Sequence, residues 1–204
     1  MKQDIGINQR IPMNVLELAI LAELQGSATP EYYRELAATE YSGQNRIRKA
    51  VSVINRLTTK NPLLPFLIEN KKAVENMLRS KTDRPLLMTA IICSAYSFGY
   101  DLVSLLGKYF HAQEYVTTDF IKQKMSAKYG SNRSLPNALY CILPMLIETK
   151  ILERPESGIY KPIKITKATD NAMNVFRKSF LLNNPMLTER DNIESNPYFE
   201  FTKA

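Results

Sequence analysis

Apolar residues recur at helical spacing along most of this chain, and the breaks in that rhythm divide it into elements. Val15, Leu16, Leu18, Ala19, Leu21, Ala22 and Leu24 follow Pro12 and run to Gly26, which predicts a helix buried over most of its surface. Thr29-Pro30-Glu31 opens the next helix with a cap, a proline in the first turn and an acid at the positive end of the dipole. It ends near Tyr41-Ser42-Gly43, and a third helix over residues 45–60 buries Ile47, Ala50, Val51, Ile54 and Leu57. Asn61-Pro62-Leu63-Leu64-Pro65 interrupts the pattern, and a short helix over 71–80 follows. Residues 85–107 form the longest apolar run, with Asp101 its one charge, and predict one long central helix.

Beyond that run the pattern becomes more specific. Thr117 or Thr118 caps a helix with Asp119 in its first turn, and Gly130 ends it. Ser134 caps the next, with Pro136 tolerated in the first turn and Leu135, Leu139, Ile142 and Leu146 on one stripe. Ile151-Leu152-Glu153-Arg154, the turn Pro155-Glu156-Ser157-Gly158 and the β-prone residues 159–165 read as a hairpin. Helix, tight turn, helix, hairpin is the order of a winged helix-turn-helix. A last helix over 169–182 packs Ala172, Met173, Phe176 and Phe180 inward, and the polar tail beyond Pro185 is expected to be partly disordered, with residues 196–201 as a docking segment.

The fold class expected is therefore mainly α, with helix-turn-helix and winged-helix elements around a long central apolar helix. Three regions follow: an N-terminal helical domain over 1–84 with a helix-turn-helix-like pair, a core helix with the winged module and packing helix over 85–182, and the tail over 183–204. The hydroxyls along the 85–107 run and Asp101 within it argue against a membrane span, since an acid at depth costs about 2.5–3.5 kcal/mol on insertion scales. The first residues are polar and lack the apolar stretch of a secretory leader, so a cytoplasmic protein is expected.

Charge changes the picture once it is located. The chain has 204 residues and a net charge of +7. Residues 44–84 hold ten Lys/Arg against three acids and residues 117–167 nine against four, while every other segment is net negative. Two basic blocks in an otherwise acidic chain point to an anionic partner. At 100° per residue, Lys49, Arg56 and Lys60 fall together on the third helix, with Arg46 beside them. In the second block the candidates are Lys128, Asn132 and Arg133 at the turn, and Lys161 and Lys164 on the wing. Asn137 is the one good base-reading candidate on the 134–149 helix, whose remaining outward residues Tyr140, Cys141, Pro144 and Glu148 include no cation. Contacts to duplex DNA are thus expected to be positional, through phosphates.

The residues give no positive case for catalysis. One histidine, His111, and two cysteines, Cys93 and Cys141, fall short of a zinc set. Gly107-Lys108-Tyr109 lacks the upstream glycine and the Ser/Thr of a phosphate loop. No cofactor or metal is called for.

The order of motifs resembles the BrxA family of bacterial phage-exclusion (BREX) defence systems. The resemblance spans roughly residues 13–165. It rests on Val53-Ile54-Asn55-Arg56-Leu57, on Leu86-Leu87-Met88-Thr89-Ala90-Ile91 continuing through Tyr96-Ser97-Phe98, and on Ser134-Leu135-Pro136-Asn137-Ala138-Leu139 running to Ile151-Leu152. It implies a small helical, non-enzymatic protein with winged-helix character, linked to DNA binding and to a multi-protein defence complex. Two alternatives remain at this point: an interaction scaffold whose winged helix binds protein, and an RNA-binding protein.

Overall fold

The computed structural model describes residues 5–130 and 132–203 and is mainly helical, with one small sheet. Helix α1 (Met13–Gln25) ends on Gly26, whose φ of 70° lets the chain turn back so that its N–H reaches the Ala22 and Glu23 carbonyls. Helix α2 (Pro30–Glu40) starts as expected, with the Thr29 hydroxyl accepting from the Tyr32 N–H at 3.1 Å. Three residues, Tyr41-Ser42-Gly43, join it to α3 (Gln44–Leu57). The proline-bearing stretch that follows forms α4 (Leu64–Glu69), a helix the broken apolar pattern did not announce, and then α5 (Lys71–Arg79).

The long central helix expected over 85–107 does not exist. The run is two helices, α6 (Arg84–Ala95) and α7 (Ser97–Phe110), separated at Tyr96, whose φ of −133° and ψ of 112° are extended. The cause lies in side chains from elsewhere. A helix end leaves its last four carbonyls without intrahelical donors, and here distant residues bond two of them, Cys93 and Ala95, and the Ile91 carbonyl just before. Asn61 Nδ2 donates to the Ile91 carbonyl at 2.9 Å, Asn183 Nδ2 to the Cys93 carbonyl at 3.1 Å, and Arg56 Nε to the Ala95 carbonyl at 3.1 Å. The Ser94 hydroxyl adds bonds to the Ala90 and Ile91 carbonyls within its own helix, a local competitor for continuation. The Arg56 guanidinium also lies 4.5 Å from the centre of the Tyr96 ring. Gly6, at φ 65°, carries the lead-in across that guanidinium, where a Cβ would collide. At twelve and fourteen residues, neither half approaches the ~20 needed to cross a bilayer. Among the described residues no helix is long and apolar enough to do so.

After α7 come β1 (Val116–Thr117), α8 (Thr118–Tyr129), α9 (Leu135–Glu148), β2 (Leu152–Glu156) and β3 (Ile159–Pro162). All strand pairs are antiparallel and the order is β1-β3-β2, with Val116 opposite Tyr160 and Glu153 opposite Lys161. Thr117 caps α8 through the Phe120 N–H at 3.2 Å. Ser134 does not cap α9 with its hydroxyl. Its backbone is already helical, and the Asn132 carboxamide accepts the Ser134 N–H at 3.0 Å instead. Gly158 makes the hairpin turn at φ 77° and its carbonyl accepts from the Thr118 N–H at 2.8 Å, tying the turn to the start of α8.

Helix α10 (Asp170–Asn183), capped by Thr169, packs along α6, which is buried over nearly its whole surface. The tail, expected to be partly disordered, closes this core. Residues Pro197–Thr202 form a 3₁₀ helix that buries Tyr198, Phe199 and Phe201, with the Tyr198 ring stacked 4.3 Å from Phe176. Gly107 of α7 permits that approach, because a Cβ there would meet the Pro197 carbonyl. Glu200, buried, pairs with Lys164 at 2.7 Å and with Lys203 at 3.4 Å. One cluster of apolar side chains runs from Ile5 to Phe201, across both boundaries drawn from sequence.

Candidate nucleic-acid interface

Helix α3 is held by α1, α2 and α6, and it buries Ala50, Val53, Ile54 and Leu57. That stripe is turned from the one read in the sequence. Val53 is buried where Ile47 and Val51 were expected to be, and those two are only half-buried. The turn is small, roughly 50° about the axis, but it decides which cations face outward. Asn45, Arg48, Lys49 and Ser52 occupy the exposed line, at i, i+3, i+4 and i+7.

The ten residues chosen from sequence divide sharply in the structure. Arg46 and Lys49 are exposed on α3, and Lys60 is exposed just beyond its end. Arg56 is not on that surface: it is half-buried, stacked on Tyr96 and bonded to the end of α6. Its guanidinium is spent on the fold, where a cation also favours a helix C-terminus. Lys128 pairs with Asp101 at 2.6 Å, and the Tyr129 hydroxyl donates to the other oxygen of the same carboxylate at 2.6 Å. Lys161 lies between two acids, Glu114 at 3.2 Å and Glu153 at 3.6 Å, and the hydrogen bond to Glu114 pushes its pKa up. Lys164 is bound to the carboxylate and the carbonyl of Glu200. Asn132 spends its side-chain oxygen on the turn, while Arg133 and Asn137 remain exposed near the start of α9. Both candidate lysines of the wing are therefore ion-paired, Lys161 with Glu114 and Glu153 and Lys164 with Glu200.

Among the described residues, Arg34, Arg46, Arg48, Lys49, Lys60 and Arg133 have no carboxylate within ion-pair distance, a state they share with cations spread over other elements, such as Lys71, Lys72, Lys122, Lys124 and Lys178. What sets Arg34, Arg46, Arg48, Lys49 and Lys60 apart is that they share α2, α3 and the turn after it, and all five are exposed. Arg34 and Arg48 line one groove between α2 and α3 with Gln44, Pro30, Ile47 and Val51, and that lining contains no acid. Arg34 Nη2 donates to Gln44 Oε1 at 2.8 Å, joining the two helices across their turn. Sequence reasoning passed over Arg34, Gln44, Asn45, Arg48 and Ser52. The spacing of 45, 48, 49 and 52 was available, but the burial of Val53 that selects this face was not.

Helix α9 offers a different surface. Its second half is occupied by the lead-in: Glu148 pairs with Arg10 and accepts the Met13 N–H at 2.9 Å, at the first turn of α1. Tyr140 is 78% exposed, and the outward line carries no cation. Burial pushes the Cys93 thiol up to about 12 and raises that of Cys141, so neither is primed as a thiolate. His111 touches Glu200 at 3.3 Å from an exposed position. Among the described residues no group of three or more His, Cys, Asp and Glu could hold a metal ion. Compared with models of protein families, with curated proteins and with solved structures, the chain matches none.

Proposed function

We propose that this chain is a non-enzymatic duplex-DNA-binding protein that grips the phosphate backbone through the α2–α3 pair. The observation that carries this is the set of five exposed cations on one helix pair and the turn after it, Arg34, Arg46, Arg48, Lys49 and Lys60, with no acid in the groove that Arg34 and Arg48 line. Two helices joined by a three-residue turn ending in glycine are helix-turn-helix-like, and such a pair carries its cations to the backbone on either side of a groove. The winged-helix-like element formed by α8, α9 and the β2–β3 hairpin has the fitting order, but Lys128, Lys161 and Lys164 are committed to Asp101, Glu114, Glu153 and Glu200. It plays at most a minor part in holding phosphate.

The test is Arg46→Ala with Lys49→Ala and Lys60→Ala, measured on duplex DNA, single strands and RNA across a salt series. Loss of affinity on every duplex alike is expected, with a salt slope shallower by up to about 2.7, since each phosphate contact contributes about 0.9. Wild-type affinity and slope in the folded triple variant would refute it. Stronger binding to RNA or single strands than to duplex would replace the partner.

A second reading, a scaffold that binds protein through α9, is favoured by the exposed Tyr140 on a face without cations. Membership in a BREX-type defence complex remains the setting the BrxA resemblance implies. Co-occurrence of the gene with a methyltransferase and large ATPases is the observation that tests it.

A further inference from the structure

Phosphate contact explains cations at the edges of a helix; it does not explain the line that α3 turns outward. Asn45, Arg48, Lys49 and Ser52 share that line, and two of the four are short and uncharged. A short side chain at the centre of a helix seated in the major groove meets base edges, not the flanking phosphates. From Asn45 to Ser52 the helix rises about 10 Å, the height of about three base-pair steps. Arg matches the two acceptors of guanine and Asn the acceptor–donor pair of adenine. Gln44 stands at the leading end, where Arg34 occupies its carbonyl oxygen at 2.8 Å and leaves the NH2 to seek an acceptor. No acid lies on the face, and Arg48 has no ion-pair partner among the described residues.

We propose that α3 reads base edges in the major groove, with Arg48 and Asn45 as specificity-determining residues that select a short duplex core containing a guanine and an adenine. This rests on the duplex-binding reading above. Phosphate contacts supply most of the affinity and α3 adds the choice of sequence.

The experiment is selection from duplexes with a randomised core, followed by affinities of the full chain for the enriched core and a scrambled one. The wild type is expected to prefer the enriched core by about tenfold or more. Arg48→Lys keeps the charge but not the two-pronged match to guanine; it should retain the salt slope and lose the preference at the guanine. Asn45→Ala should relax the choice at the adenine, and Lys60→Ala should weaken both duplexes equally. Equal wild-type binding to both duplexes, or a preference that survives in Arg48→Lys, overturns base reading and leaves phosphate binding standing. Failure to bind any duplex at low salt overturns both.

Discussion

Replacing Arg56 with alanine should lower stability and leave the salt dependence of duplex binding unchanged. Arg56 lies in the basic block, about two turns from Lys49 and four residues from Lys60, yet its Nε bonds the Ala95 carbonyl at 3.1 Å and its guanidinium stacks 4.5 Å from the Tyr96 ring. Arg56→Ala removes a charged hydrogen bond worth about 1.5–3 kcal/mol when it is well shielded. It also removes a cation–π contact worth about 0.5–1 kcal/mol at an accessible site. The side chain is only half-buried, so water replaces part of both, and a net loss of about 2 kcal/mol is expected. With a urea dependence of about 2 kcal/mol/M, the unfolding midpoint should fall by about 1 M. The helix break at Tyr96 should lose order first, which amide hydrogen exchange at residues 92–97 would register. Duplex affinity of the folded variant should keep its wild-type salt slope. Lys49→Ala is the mirror image, with stability unchanged within about 0.5 kcal/mol and a slope shallower by about 0.9. An Arg56→Ala protein of wild-type stability with a shallower salt slope would refute the assignment of Arg56 to the fold.

Two further expectations concern the tail. Gly107→Ala puts a methyl group against the Pro197 carbonyl, so the aromatic 3₁₀ helix must shift outward; overpacking of this kind costs about 1–3 kcal/mol or more. Limited proteolysis should then cut within residues 184–203, and a variant as resistant as wild type would show that the approach is looser than described. For Glu200, burial opposes ionisation, but Lys164 and Lys203 outweigh it and hold the carboxyl below its usual range. A carboxyl depressed in the folded state stabilises above its unfolded value and loses that contribution as pH falls through the folded one. Acid titration below about pH 4.5 should therefore release the tail, and Glu200→Gln should flatten that limb of the stability curve; an unchanged acid limb would count against the ion pair.

Much of the helical plan was written in local pattern. Gly26 and Gly130 end helices where glycine was placed to end them, and Thr29 and Thr117 cap where a cap was expected. The stripe Leu135, Leu139, Ile142 and Leu146 is buried as its spacing required, and the hairpin around Gly158 forms from its own turn chemistry. These features depend on residues a few positions apart, so a single sequence contains them. The break at Tyr96 does not. Residues 85–107 carry no proline or charge near Tyr96 to announce a break, and side chains that bond the end of α6 come from Asn61, Arg56 and Asn183, up to 90 residues away. The same holds for charge. Lysine and arginine were countable from the outset, but their availability depends on whether Asp101, Glu114 or Glu200 folds against them. Which face of α3 looks outward depends on the burial of Val53 against neighbouring helices, and a rotation of half a residue exchanges Arg56 for Arg48. Composition and periodicity determined that the chain is helical and carries basic blocks; only the packing of distant side chains decided where the central run divides and which cations remain free to meet a partner.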